Sequence, residues 1–262
     1  MNADVFELHR GTAPLLVSLP HDGTALPDEI AARLTAQARA VPDTDWHVAR
    51  LYVFARELGA SMLVPRFSRY VIDLNRSEDD VSLYPGQNTT GLCPIVRFSG
   101  DPVYLAGQEP SEDEVRARVE RYWRPYHDAL RAELDRIRTA HGRVVLWEGH
   151  SIRGELPFLF DGRLPDLNLG TAAGASCSQA LQARLEALLA AQDDYDFVVN
   201  GRFKGGHITR HYGDPANGVE AVQLEISQRV YMDENTQAYE ESRARGAQAV
   251  IRQLLLAAIG PN

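Results

Sequence analysis

Two histidines end apolar runs. His21 in SLPHDG follows LLVSLP at 15–20, and His150 in LWEGHS follows VVLWEG at 144–149. Imidazoles at two equivalent strand ends are a metal-ligand pattern, and a catalytic zinc takes three protein ligands plus an open position for water. A third ligand is available from DTDWHV, where Asp45 is the first choice and His47 the alternative. Their ordinary roles would be a helix N-cap aspartate and a surface histidine; one of them could also orient a ligand from behind. Glu225 sits in VQLEIS, and a glutamate inside an apolar strand is costly unless it is paired or used. Its expected use is as a general base that takes a proton from water and returns it to a leaving nitrogen. Alternation along the strand leaves a solvent-facing position open. Glu148 in LWEGH is the competing base, or else a carboxylate behind a ligand.

Positive charge is concentrated in two places. RYVIDLNRSEDD carries Arg69 and Arg76, and NGRFKGGHITRHYG at 200–213 carries Arg202, Lys204, His207, Arg210 and His211. Arginine grips a carboxylate with two parallel bonds. The chain as a whole has 27 Lys plus Arg against 36 Asp plus Glu, a net charge of -9. General nucleic-acid binding is therefore not expected, and the two basic clusters suit a small anionic ligand held in a cleft. For any single arginine the ordinary alternative is a surface ion pair of little energetic weight.

Other chemistries lack their motifs. There is no GxGxxG, GxxxxGK[ST] or HExxH, and no serine lies in a G-x-S-x-G context. Cys93 and Cys177 match no zinc-finger spacing and are expected as free thiols of a cytoplasmic protein. No apolar run reaches membrane-spanning length, so no membrane partner is expected. Tyr122, Trp123, Tyr126 and His127 read mainly as core packing, with His127 a minor site candidate.

The elements that must position these residues alternate. Runs at 15–20, 61–65, 144–149, 196–200 and 221–227 are short, apolar and bounded by polar, Gly or Pro residues, as strands are. Helical patterns cover 27–40, 44–59, 111–142, 177–191 and 236–259. Ser111 is the expected N-cap of the third, with Glu114 three residues on, and Pro125 should kink it. This alternation in 262 residues implies a single α/β domain over 1–262 with a mostly parallel sheet. Such sheets bind ligands beyond the C-terminal ends of their strands, where His21 and His150 fall. The stretch 66–108 is long, irregular and rich in Pro and Gly, the mark of a functional loop region.

SLPHDG, DTDWHV, RYVIDLNR, YWRPYHDAL, GHSIRG, NGRFKGGHITRHYG and QLEI occur in this order across residues 15–227. With them the chain resembles the N-formylglutamate amidohydrolase (deformylase) family, itself related to zinc carboxypeptidases and aspartoacylase-like hydrolases. The resemblance implies a zinc-carboxypeptidase-like, three-layer α/β/α fold with a mixed central sheet. It also implies one catalytic zinc, with Co2+, Ni2+ or Mn2+ as alternative ions. The carboxypeptidase glutamate ligand three residues after the first histidine is replaced here by Thr24, which leaves Asp45 to join His21 and His150. Glu225 matches the strand base and Arg69 the residue that polarises the scissile carbonyl. Asn75 and Arg76 match the pair that receives a substrate carboxylate. Asn200, Lys204, Arg210 and His211 are the candidates for a second carboxylate. The implied reaction is hydrolysis of N-formyl-L-glutamate, a small dianion, to formate and L-glutamate in histidine degradation, by a monomer or small homo-oligomer. The alternatives are a related metallohydrolase for another N-acyl amino acid or a C-terminal peptide, and a non-catalytic dicarboxylate-binding protein.

Overall fold

The computed structural model describes residues 5–81 and 89–260. Among the described residues seven strands form one sheet: β1 (Phe6–His9), β2 (Leu15–Ser18), β3 (Ser61–Pro65), β4 (Val144–Ile152), β5 (Leu167–Gly170), β6 (Phe197–Val199) and β7 (Val219–Ser227). Their order is β1-β3-β2-β4-β7-β5-β6. The β1–β3 and β5–β7 pairs are antiparallel and the other neighbours are parallel. The expected mixed, mostly parallel α/β architecture is therefore present.

Helices cover both faces. α1 (Asp28–Ala31), α3 (Glu112–Arg118) and α4 (Arg124–His141) lie on one side. α2 (Val48–Leu51), α5 (Gln179–Ala190) and α7 (Glu241–Ile259) lie on the other. Side-chain alternation divides each central strand between two cores. Val145 and Trp147 of β4 join Val222, Leu224 and Ile226 of β7 against the second group of helices. Val144 and Leu146 join Val219 and Ala221 against the first. Farther along that first face the apolar series stops. The next residues pointing there are Glu148 and His150 on β4, opposite Gln223 and Glu225 on β7. The face that packs on α4 at one end thus becomes polar at its C-terminal end.

Several elements differ from the sequence reading. β1 and β5 were not expected: each has only four residues, and β1 alternates between half-buried and exposed. The helix expected over 27–40 is α1 followed by a short 3-10 turn at Ala38–Ala40. Between them Thr35 N–H bonds to the Val103 carbonyl at 3.0 Å, and Leu34 bridges Tyr104, so this backbone serves the long connection instead of a helix. Ser111 does cap α3, its hydroxyl accepting from Glu114 N–H at 3.3 Å. Pro125 follows a π-helical turn at Val119–Trp123, a local rewinding that suits a residue with no N–H to donate. Residues 200–213, read as a loop, include the one-and-a-half-turn helix α6 (His207–Tyr212). The described part of 66–108 contains no helix or strand; residues 82–88 of that stretch lie outside the described residues.

Candidate active site

His21 follows β2, and His150 lies near the C-terminal end of β4, so two neighbouring strands deliver the imidazoles to one edge. Their ring centroids are 4.9 Å apart. Asp45 reaches them from the segment before α2, which is pinned to the first histidine by a backbone bond from Asp45 N–H to the His21 carbonyl at 3.1 Å. One ligand-type atom from each of His21, Asp45 and His150 falls within 4.8 Å of the others, and all three residues are buried.

Both rings are turned the same way. Nδ1 of His150 lies 3.0 Å from Asp45 Oδ2, and Nδ1 of His21 lies 3.7 Å from the same oxygen. The Nε2 atoms face outward to two further carboxylates, at 2.7 Å from Asp73 Oδ1 for His21 and 2.9 Å from Glu148 Oε1 for His150. Carboxylates behind imidazoles hold the proton on the outer nitrogen and leave the inner lone pair for a metal. Two nitrogens and a carboxylate suit zinc and other first-row divalent ions, so the donor set fits the expected ion.

The electrostatics follow from burial and pairing. Burial acts to raise Asp45, but the hydrogen bonds with His150 and His21 outweigh it and hold the carboxyl below the usual range. Asp73 is likewise held well below that range, with His21 and Arg69 overcoming its burial. His150 rises well above the usual imidazole range, because Glu148 and Asp45 outweigh burial. Glu225 goes the other way. Burial is the main cause that pushes it up to about 8; Asp45 and Glu148 add to this, while His150 and Arg69 oppose it. Its side chain makes no hydrogen bond among the described residues and lines the cleft beside His150.

Arg69, Asn75 and Arg76 come from the irregular stretch after β3 and line the same cleft. Arg69 is bonded to Asp73 Oδ2 at 2.6 Å and lies 3.8 Å from Asp45 Oδ1. Among the described residues, the buried Nε atoms of Arg69 and Arg76 have no hydrogen-bond partner. The first turn of α6 docks onto the site through three backbone donors. Gly206 N–H bonds to Gln223 Oε1 at 2.7 Å, Ile208 N–H to Asn75 Oδ1 at 2.9 Å, and Thr209 N–H to Glu148 Oε2 at 3.1 Å. Helix-start N–H groups that need partners thereby orient two cleft side chains, Gln223 and Asn75, and the buried Glu148 behind His150.

Four expected residues are elsewhere. Asn200 holds a turn: its Oδ1 accepts from Thr171 N–H at 2.9 Å and Ala173 N–H at 3.2 Å, and its Nδ2 donates to Thr171 Oγ1. Lys204, Arg210 and His211 are exposed and do not line the cleft; winding 207–212 into a helix turns Arg210 and His211 away from it. Arg202 of the same segment lines it instead, beside Phe203, Leu159 and Ile152. His47, the alternative ligand, bonds through Nε2 to the Gln237 carbonyl at 2.8 Å, its backbone in the left-handed region at φ 63°. His127 is core: buried, stacked on Trp123 at 3.6 Å and bonded to Leu74 O and Tyr212 OH. Cys93 and Cys177 are free thiols. Asp73 was not singled out from the sequence.

The model of the N-formylglutamate amidohydrolase family matches residues 13–232. The chain belongs to that family. Every residue from His21 to Glu225 described above falls within the match. N-formylglutamate deformylases of Pseudomonas putida and Pseudomonas aeruginosa are 52% and 54% identical to it, over 97% and 96% of this chain and 95% of each relative. The crystal structure of N-formylglutamate amidohydrolase from Ralstonia eutropha JMP134 matches with a TM-score of 0.80 at 28% identity, covering 98% of this chain and 96% of that one. A gene product of Agrobacterium tumefaciens shares the fold at a TM-score of 0.72 and 19% identity, over 97% and 96% of the two chains.

Proposed function

We propose that this amidohydrolase-family protein is a zinc-dependent deformylase that converts N-formyl-L-glutamate to formate and L-glutamate, a closing step of histidine degradation. The observation that carries the reading is one cleft in which His21, Asp45 and His150 converge beside Glu225, whose side chain is unbonded among the described residues, with arginines on its walls. The family and the names of the Pseudomonas relatives support the substrate. The cleft has a volume of about 100 Å3, in keeping with a small ligand.

His21, Asp45 and His150 would hold the ion, with Co2+, Ni2+ or Mn2+ as alternatives to Zn2+. When bound, it supplies Lewis acidity that acidifies water and polarises a carbonyl. Glu225 takes a proton from the attacking water at its carboxylate and later delivers it to the departing amine nitrogen. Its raised proton affinity suits a group that must hold that proton between the two events. Arg69 directs positive charge at the developing oxyanion. Asn75 and Arg76 receive the α-carboxylate. Arg202 replaces Arg210, Lys204 and His211 as the handle for the side-chain carboxylate, with Ile152 and Phe203 as the apolar wall along the substrate methylenes.

The test is formate release from N-formyl-L-glutamate by protein stripped with chelator and then reloaded with zinc. Turnover that vanishes on stripping and returns on reloading is expected. Zinc-loaded protein that releases no formate above background would overturn the reading.

A further inference from the structure

We infer that Thr209 is a positioning residue for His150, acting through Glu148 to hold the imidazole with Nε2 on the carboxylate and Nδ1 toward Asp45. The inference rests on the reading of His21, Asp45 and His150 as metal ligands.

Thr209 makes two hydrogen bonds to one oxygen. Its backbone N–H lies 3.1 Å from Glu148 Oε2, and its hydroxyl donates to the same atom. That leaves Oε1 to His150 Nε2 at 2.9 Å. Thr209, Glu148 and His150 are all buried, so water does not compete. Two donors on Oε2 fix the rotation of the carboxylate and keep Oε1 on the His150 side.

A rival stands at the same nitrogen. Asn75 Nδ2 lies 3.1 Å from His150 Nε2. The orientation of that amide is set by Ile208 N–H, which occupies Asn75 Oδ1 at 2.9 Å, so the group facing His150 is the donor NH2. Asn75 Nδ2 and Glu148 Oε1 thus both bear on Nε2, and the Thr209 bonds keep the carboxylate in that place. With Glu148 fixed behind the ring, Nδ1 faces Asp45 and is the nitrogen turned toward the proposed metal position. Thr209 does not line the cleft and touches no reacting atom.

The experiment measures Zn2+ affinity by competition with a chromophoric chelator, together with thermal unfolding of the metal-free proteins. T209V removes the hydroxyl and keeps the backbone bond; T209S keeps both. T209V should bind Zn2+ about 10- to 100-fold more weakly, the usual effect of losing a partner behind a ligand, and T209S should match the wild type. E148Q should weaken binding by at least as much, and adding T209V to it should weaken binding little further, because the two act in series. If T209V does not fold, E148Q carries the test, and E148Q binding Zn2+ as tightly as the wild type then overturns the relay. Wild type and T209V binding zinc equally tightly overturns the relay alone, as does T209S binding as weakly as T209V, or full additivity with E148Q. A wild type that takes up no zinc overturns the ligand reading and the relay together.

Discussion

His150 on β4 and Glu225 on β7 are register partners in adjacent parallel strands. One side chain is bonded on both ring nitrogens, and the other makes no hydrogen bond among the described residues. A committed imidazole and an uncommitted carboxylate thus stand side by side at the strand ends. Glu225→Gln keeps the shape and removes the base. The expected outcome is a loss of turnover by about 10²- to 10⁴-fold with zinc content unchanged, read from steady-state rates and metal analysis. A variant as active as the wild type would assign the proton transfer to another group.

The two proposed arginine handles separate on substrate chemistry. Arg202→Met should raise KM for N-formyl-L-glutamate by about 10- to 100-fold, the weight of a hydrogen bond to a charged group. It should change KM for N-formyl-L-glutamine, whose side chain is neutral, far less. Arg76→Ala should weaken both substrates, since both keep the α-carboxylate. Equal losses on the two substrates in the R202M protein would remove Arg202 as the side-chain handle.

What could be read from the sequence, and what could not, has a physical pattern. The buried central strands are continuous apolar runs, so β2, β3, β4 and β7 were visible, and so were the polar residues that interrupt or end them: His21, His150 and Glu225. The rule that picked Glu225, a carboxylate among apolar neighbours, also applies to Asp73 in YVIDLN, where it was not used. Asp45 and His47 could not be told apart, because the difference lies in one left-handed backbone angle at His47 that sends its ring to Gln237. The basic cluster showed its charge but not its faces. Whether Arg202 or Arg210 meets the cleft depends on α6, a helix too short to leave a periodic signal and anchored by Gln223, Asn75 and Glu148.

Asp73 joins His21 to Arg69, at 2.7 Å and 2.6 Å. Asp73→Asn removes the charge that both partners use. Zinc affinity should fall by about 10- to 100-fold. Stability should fall by about 3 kcal/mol, because Arg69 is left buried without its closest counter-charge. Chelator competition and denaturant unfolding read the two effects separately. Unchanged zinc affinity would show that His21 needs no carboxylate behind it.

Outside the metal-type cluster, His127 should make the fold sensitive to acid. Burial is the largest cause that pushes its imidazole down from 6.5 to about 3, while the bond to the Leu74 carbonyl opposes the shift. Between those values the unfolded chain binds a proton on this ring and the folded chain does not. Stability from this group is therefore complete above pH 6.5 and is lost as the pH falls toward 3. Going from pH 7 to pH 5 should cost the wild type about 2 kcal/mol through this residue. His127→Gln cannot titrate, and its amide can still bond to Leu74 O or Tyr212 OH. The variant is expected to start less stable at pH 7, because the ring stacked on Trp123 is gone, yet to lose about 2 kcal/mol less on acidification. Urea unfolding of both metal-free proteins at the two pH values measures the difference. Parallel losses would mean that His127 is protonated in the folded protein too, with the Leu74 and Tyr212 bonds rearranged to accept the charge.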